Sequence, residues 1–168
     1  MTARTRTLWQ RNLIGLAVAG VAAVVLGVTD LYPHWSAYHA TLSPARVVAK
    51  GATGTAGGQT WRVGSIRHLN TVPHAPTVRL PARTALTVVT VERTGTPPAW
   101  ECRAVITDGR RSWQTAAIGN AAPLVGGTTD RCSRPGSLQL SFLLPSDAVP
   151  TAVDLVDSNG AIILRIML

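Results

Sequence analysis

Four histidines, two cysteines and eight carboxylates are the residues of this 168-residue chain suited to ligating a metal, attacking a carbonyl or moving protons. Their spacing assembles none of those chemistries. His34 and His39 lie five apart, off a common helical face, and His68 and His74 straddle the start of a loop. Zinc needs three or four convergent ligands, and neither H-E-x-x-H nor a Cys/His cluster occurs, so no metal and no cofactor is expected. No G-x-S-x-G elbow is present, and Ser146-Asp147 are neighbours in a turn after Pro145, where the serine bonds its own backbone. Glu92, Glu101, Asp108, Asp130, Asp147, Asp154 and Asp157 show no spacing that selects a glycosidase-type pair. Residues 51–58, GATGTAGG, lack the Gly-Lys-Ser/Thr ending and following helix of a phosphate loop and read as a flexible hairpin connection. No catalytic residue is assigned, and an enzyme is not expected.

Cys102 and Cys132 have no C-x-x-C redox spacing. Outside a reducing compartment they are expected to form a structural disulfide. Closing a loop of about 30 residues contributes roughly 3–4 kcal/mol in the chain-entropy treatment. For binding, the candidates are Trp61, Trp113, Arg110 and Arg111. Tryptophan is enriched at interfaces, yet a small domain also needs large core residues, and at least two of Trp61, Trp100 and Trp113 are expected inside. From residue 31 onward thirteen basic and seven acidic side chains leave a net charge of about +6, which favours anionic envelope lipid or glycan. The arginines are scattered, without the aromatic-basic signature of nucleic-acid binding, so no nucleic acid is expected.

The elements holding these residues begin with an uncharged run over residues 13–29, preceded by Arg4, Arg6 and Arg11 and followed by Asp30. Trp9 before it, and Tyr32 and Trp35 after it, stand where interfacial aromatics are expected. The reading is a basic cytoplasmic tail over 1–12, a transmembrane helix over 13–31, a tether over 32–45 and an extracytoplasmic domain over 46–168. A cleaved signal peptide is the alternative. Cutting after Ala17-Val18-Ala19 leaves too short an apolar segment, and Gly27-Val28-Thr29 is a poor cleavage site. Gly15, Ala19, Ala23 and Gly27 recur every four residues, a pattern that lets a second membrane helix approach closely.

Beyond the tether, period-2 and β-branched patterning predicts seven or eight strands: 46–50, 60–69, 85–93, 100–107, 111–117, 137–144, 152–156 and 161–168. Near Val88-Val89 the apolar phase shifts, predicting a bulge or a strand buried on both faces. Asp108-Gly109 and Asn159-Gly160 mark hairpin turns, and the last strand is expected to dock the C-terminus into a sheet. Turns every 8–12 residues indicate an all-β, immunoglobulin-like sandwich behind one N-terminal membrane helix. The cysteines are too close in sequence for the inter-sheet bridge of antibody domains, and no tyrosine precedes Cys132 at the corner position. The disulfide is expected to pin the 120–130 loop to the strand of Cys102.

The basic N-terminus, the single anchor, Thr60-Trp61-Arg62-Val63 and the strand end Phe142-Leu143-Leu144-Pro145 resemble uncharacterised envelope proteins of high-GC Gram-positive bacteria. Those proteins carry a small immunoglobulin-like domain behind one membrane helix. The resemblance implies a single-pass protein of the cell membrane and no catalytic residues. The expected function is a non-enzymatic accessory or scaffold module of an envelope complex, with the lipid bilayer and a membrane protein as partners. A binding domain for anionic envelope lipid or glycan is the alternative.

Overall fold

The computed structural model describes residues 2–70, 79–98, 101–116 and 124–168, with backbone alone at residues 2–8 and 11. Pro73, His74, Pro76, Trp100 and part of the 120–130 loop therefore lie outside the described residues, as do the side chains of Arg4, Arg6 and Arg11. The chain forms two units, Met1–His39 and Ala40–Leu168.

The first unit is helical. Helix α1 (Thr2–Leu26) runs into a π-helical turn (Gly27–Leu31) and then α2 (Tyr32–Leu42). Asn12–Leu42 contains an 18-residue stretch of mean hydropathy 2.2 with none of it buried, long and apolar enough to cross a membrane. Most of the segment expected as a tether is helical, because α2 continues past Pro33 to Leu42. In an α-helical turn Pro33 would offer no N–H to Thr29 and its ring would strike that carbonyl. The π turn avoids the clash: the Tyr32 N–H bonds Gly27 O, five residues back, and the wider turn opens space for the ring.

Among its described residues the second unit contains ten strands. They are β1 (Val47–Val48), β2 (Gly54–Ala56), β3 (Gln59–Leu69), β4 (Thr84–Thr94) and β5 (Arg103–Thr107). Then follow β6 (Ser112–Gln114), β7 (Thr128–Thr129), β8 (Ser137–Pro145), β9 (Ala152–Val156) and β10 (Ile162–Met167). They build two five-stranded sheets, sheet I in the order β1-β10-β9-β5-β6 and sheet II in the order β2-β3-β4-β8-β7. The chain changes sheet between β1 and β2, β4 and β5, β6 and β7, and β8 and β9. Of these, the β4–β5 and β8–β9 connections interlock, because β4 pairs with β8 and β5 with β9, and they tie the two sheets into a β-sandwich.

One face of each sheet fills the space between them. Sheet II contributes Trp61, Val89, Val91, Leu138, Phe142 and Leu144, and sheet I contributes Val48, Ile106, Val153, Leu155, Leu164 and Ile166. Period-2 alternation accounts for most of this set, since strand side chains point alternately to the two faces. On β4, Leu86, Thr87, Val88 and Val89 are all buried, so that strand is covered on both faces. The bulge sits instead on the neighbouring strand, between Val63 and Ser65.

Two expected loops contain short strands. Within residues 51–58, β2 pairs with Gln59–Trp61 across Gly57-Gly58. Both glycines have positive φ, as a two-residue hairpin turn demands. β7 runs parallel to the start of β8. Gly136, just before β8, has φ +107°, and a Cβ there would lie 2.6 Å from Gly127 O, so no other residue fits without a shift. The C-terminal strand β10 is paired on both sides, with β9 antiparallel and β1 parallel.

Candidate functional site

Cys102, immediately before β5, and Cys132, between β7 and β8, lie at disulfide distance with Cα atoms 5.6 Å apart. The bridge thus ties the segment leading into sheet II to the start of a sheet I strand. The same segment is gripped from the other side by Arg93. Its position follows from strand parity, since Val89, Val91 and Arg93 share the core-facing side of β4. The Arg93 guanidinium donates to Gly136 O at 2.7 Å, Cys132 O at 2.6 Å, Arg131 O at 3.3 Å and Arg134 O. It also lies 5.8 Å from the Trp61 ring centre. Only 8% of Arg93 is exposed, and among the described residues no carboxylate pairs with it. Burial pulls its pKa below the ordinary arginine value.

The four candidates for a binding face separate. Trp61 is 3% exposed and donates its indole N–H to Ala56 O at 3.0 Å. It is a core residue, because its position on β3 faces sheet I, and it is unavailable to a surface partner. Arg110, Arg111 and Trp113 stay together at the β5–β6 hairpin. There Asp108 Oδ1 accepts the backbone N–H groups of Arg110 at 2.9 Å and Arg111 at 2.7 Å. Those bonds, with the Arg111 side chain 3.0 Å from Oδ2, hold the Asp108 carboxyl down at about 2. Arg111 also reaches Asp147 at 3.6 Å and stands 5.2 Å from the Trp113 ring centre. Arg111 is a strut of the hairpin, and Trp113 packs its ring against the core edge.

Sequence reasoning missed a groove on the outer face of sheet I, about 400 Å³ in volume. Register places Gln114, Val105, Asp154 and Arg165 in one row across β6, β5, β9 and β10. Arg103 lies one inter-residue step along the same face, opposite Val156. Asp154, 5% exposed, is held by Arg165 through two bonds of 2.7 Å, Nε to Oδ1 and Nη2 to Oδ2. The hydrogen-bonded carboxylate raises the Arg165 pKa. Thr41, Leu42 and Ser112 also line the groove. A sequence signal existed in the alternation Arg103-Ala104-Val105-Ile106-Thr107, which sends Arg103 and Val105 outward. The neighbours on β9 and β10 could not be read without the pairing.

Gly15, Ala19 and Ala23 are exposed on α1, and Gly27 opens the π turn. Trp9, Tyr32 and Trp35 are 67%, 62% and 58% exposed. His39 lies against Trp35 with ring centres 4.0 Å apart and planes tilted by 52°, and His68 Nδ1 lies 3.0 Å from Thr87 Oγ1. Among the described residues no three His, Cys, Asp or Glu side chains converge.

No protein-family model and no curated protein matches the chain. Among solved structures it is similar to an uncharacterised β-sandwich protein from Clostridium difficile 630 at 8% identity, covering 73% of this chain and 93% of that one, with a TM-score of 0.39.

Proposed function

We propose that this chain is a membrane-anchored, extracytoplasmic accessory or scaffold module of a cell-envelope protein complex, acting through contacts and not through catalysis. The observation that carries the reading is an unburied apolar helical stretch, mean hydropathy 2.2, joined in one chain to a disulfide-linked sandwich. Arg4, Arg6 and Arg11 precede the apolar run and Asp30 follows it. By the positive-inside rule the N-terminus is cytoplasmic and the sandwich lies outside, where a disulfide persists. The interlocked β4–β5 and β8–β9 crossings support an immunoglobulin-like assignment for the sandwich, a fold commonly used for protein contacts. The layout also fits the resemblance to single-pass envelope proteins of high-GC Gram-positive bacteria. The Gly15, Ala19, Ala23, Gly27 stripe is the surface through which the anchor meets a second membrane helix.

Two measurements test this. Protease added outside intact spheroplasts should digest the sandwich and spare the N-terminal tail; the opposite pattern refutes the topology. Purification of the full chain from its native membranes in mild detergent should recover a stoichiometric membrane protein, and Ala19→Leu with Ala23→Leu should release it. Recovery of a lone monomer from repeated preparations refutes the scaffold role.

A further inference from the structure

We propose that the outer face of sheet I carries a phosphate-ester site, with Arg103 as its principal cation and Arg165, Gln114 and Ser112 as converging donors. The groove has the volume of a small-molecule site, and its polar lining is one-sided. Asp154 is the lining's carboxylate, and both of its oxygens are occupied by Arg165. The Nη1 of Arg165 remains over. Neither the Arg103 guanidinium, the Gln114 amide nor the Ser112 hydroxyl bonds another described residue. Among the described residues the groove therefore offers donors from four side chains on three strands, an uncompensated positive charge, and no unoccupied anionic acceptor.

That distribution selects the ligand. Arginine guanidinium groups present rigid, always-charged donors suited to oxyanions. A planar carboxylate presents two oxygens to one fork, whereas donors spread over β5, β6 and β10 suit the tetrahedral oxygens of a phosphate. Val105, Val156, Ile162 and Leu42 alternate with the donors and supply apolar contact for the organic part of an ester. A phospholipid headgroup and a soluble polyol phosphate share this chemistry. The site goes beyond the scaffold role and does not depend on it, since neither a partner subunit nor the anchor supplies any of its four donors.

The test titrates the full chain in dodecyl maltoside micelles with dihexanoyl phosphatidylglycerol and, separately, with glycerol 3-phosphate, read by calorimetry. Binding of at least one is expected, weakened about tenfold or more in Arg103→Gln through loss of a charge-assisted contact. Arg67→Gln, which removes an exposed arginine of β3 in the other sheet, should leave binding unchanged. Binding of the lipid alone assigns the headgroup as source, and binding of glycerol 3-phosphate assigns a soluble ester. If neither binds, or if Arg67→Gln weakens binding as much as Arg103→Gln, the site is refuted. These outcomes are independent of whether a partner subunit is recovered.

Discussion

Arg93 is the residue whose removal tests most directly how this sandwich is held. Substituting Arg93→Met keeps the straight aliphatic stem and deletes the guanidinium. Four carbonyls, of residues 131, 132, 134 and 136, then lose their donor. They are not equivalent. Cys132 is 1% exposed, so its carbonyl is stranded away from water, while Arg131, Arg134 and Gly136 lie at the surface and can rehydrate. A hydrogen bond to a charged group contributes about 1.5–3 kcal/mol when its loss leaves a buried partner. The three surface carbonyls together add about 1–2 kcal/mol once water replaces the arginine. Against this, the variant no longer desolvates a cation without a carboxylate partner. The expected net loss is about 3 kcal/mol, or roughly 10–15 °C in Tm for a domain of this size.

The assay is thermal unfolding of the full chain in detergent, followed by near-ultraviolet circular dichroism, to which Trp61 beside Arg93 contributes. Arg93→Lys keeps the charge but replaces a five-donor fork with a point charge, and should lose about half as much. The disulfide holds the same segment, so reduction and Arg93→Met should be coupled, their combined loss falling short of the sum by at least about 0.5 kcal/mol. A loss below about 1 kcal/mol for Arg93→Met, or strict additivity with reduction, would refute the carbonyl clamp.

Reducing the Cys102–Cys132 bridge with dithiothreitol should cost about 3–4 kcal/mol, since it frees a loop with a sequence separation of 30; denaturant midpoints for oxidised and reduced protein measure it. Asp108 has a folded pKa of about 2, below the unfolded value near 3.9. Its stabilisation is therefore complete above about pH 4 and is lost as pH falls towards 2; Asp108→Asn should flatten that part of the stability profile, and an NMR titration placing the carboxyl at 4 would contradict the turn geometry. Arg165→Met should cost about 3–5 kcal/mol because it leaves the buried Asp154 carboxylate uncompensated. Asp154→Leu should cost clearly less, because the Arg165 side chain is 30% exposed and can turn to water. Equal losses in chemical denaturation would show that burial of Asp154 does not set the asymmetry.

How much of this was legible in the sequence depends on whether a feature is local. Leu138, Leu140, Phe142 and Leu144 announce a half-buried strand by alternation alone, and all four are buried. Asp108-Gly109 announces its turn because a carboxylate two and three residues from backbone N–H groups needs no distant partner. The helix beyond Tyr32 was hidden because Pro33 argues for a break, and the relieving π turn has no side-chain signature. Trp61 was ambiguous for the same reason every tryptophan is, until the face of β3 was fixed by its pairing with β4. Arg93 is the instructive case. Its parity with Val89 and Val91 marks it as core-facing, yet composition argues that arginine belongs outside. The conflict resolves only through the carbonyls of residues 131–136, some 40 positions away in the chain. Arg103 and the Asp154–Arg165 pair follow the same logic on the opposite surface, because cross-strand pairing brings β5, β9 and β10 together where spacing in the sequence cannot. The residues that break the local pattern in this chain therefore carry its long-range organisation: among the described residues, a buried arginine with no acid, and an exposed one facing a groove that holds no unoccupied acid.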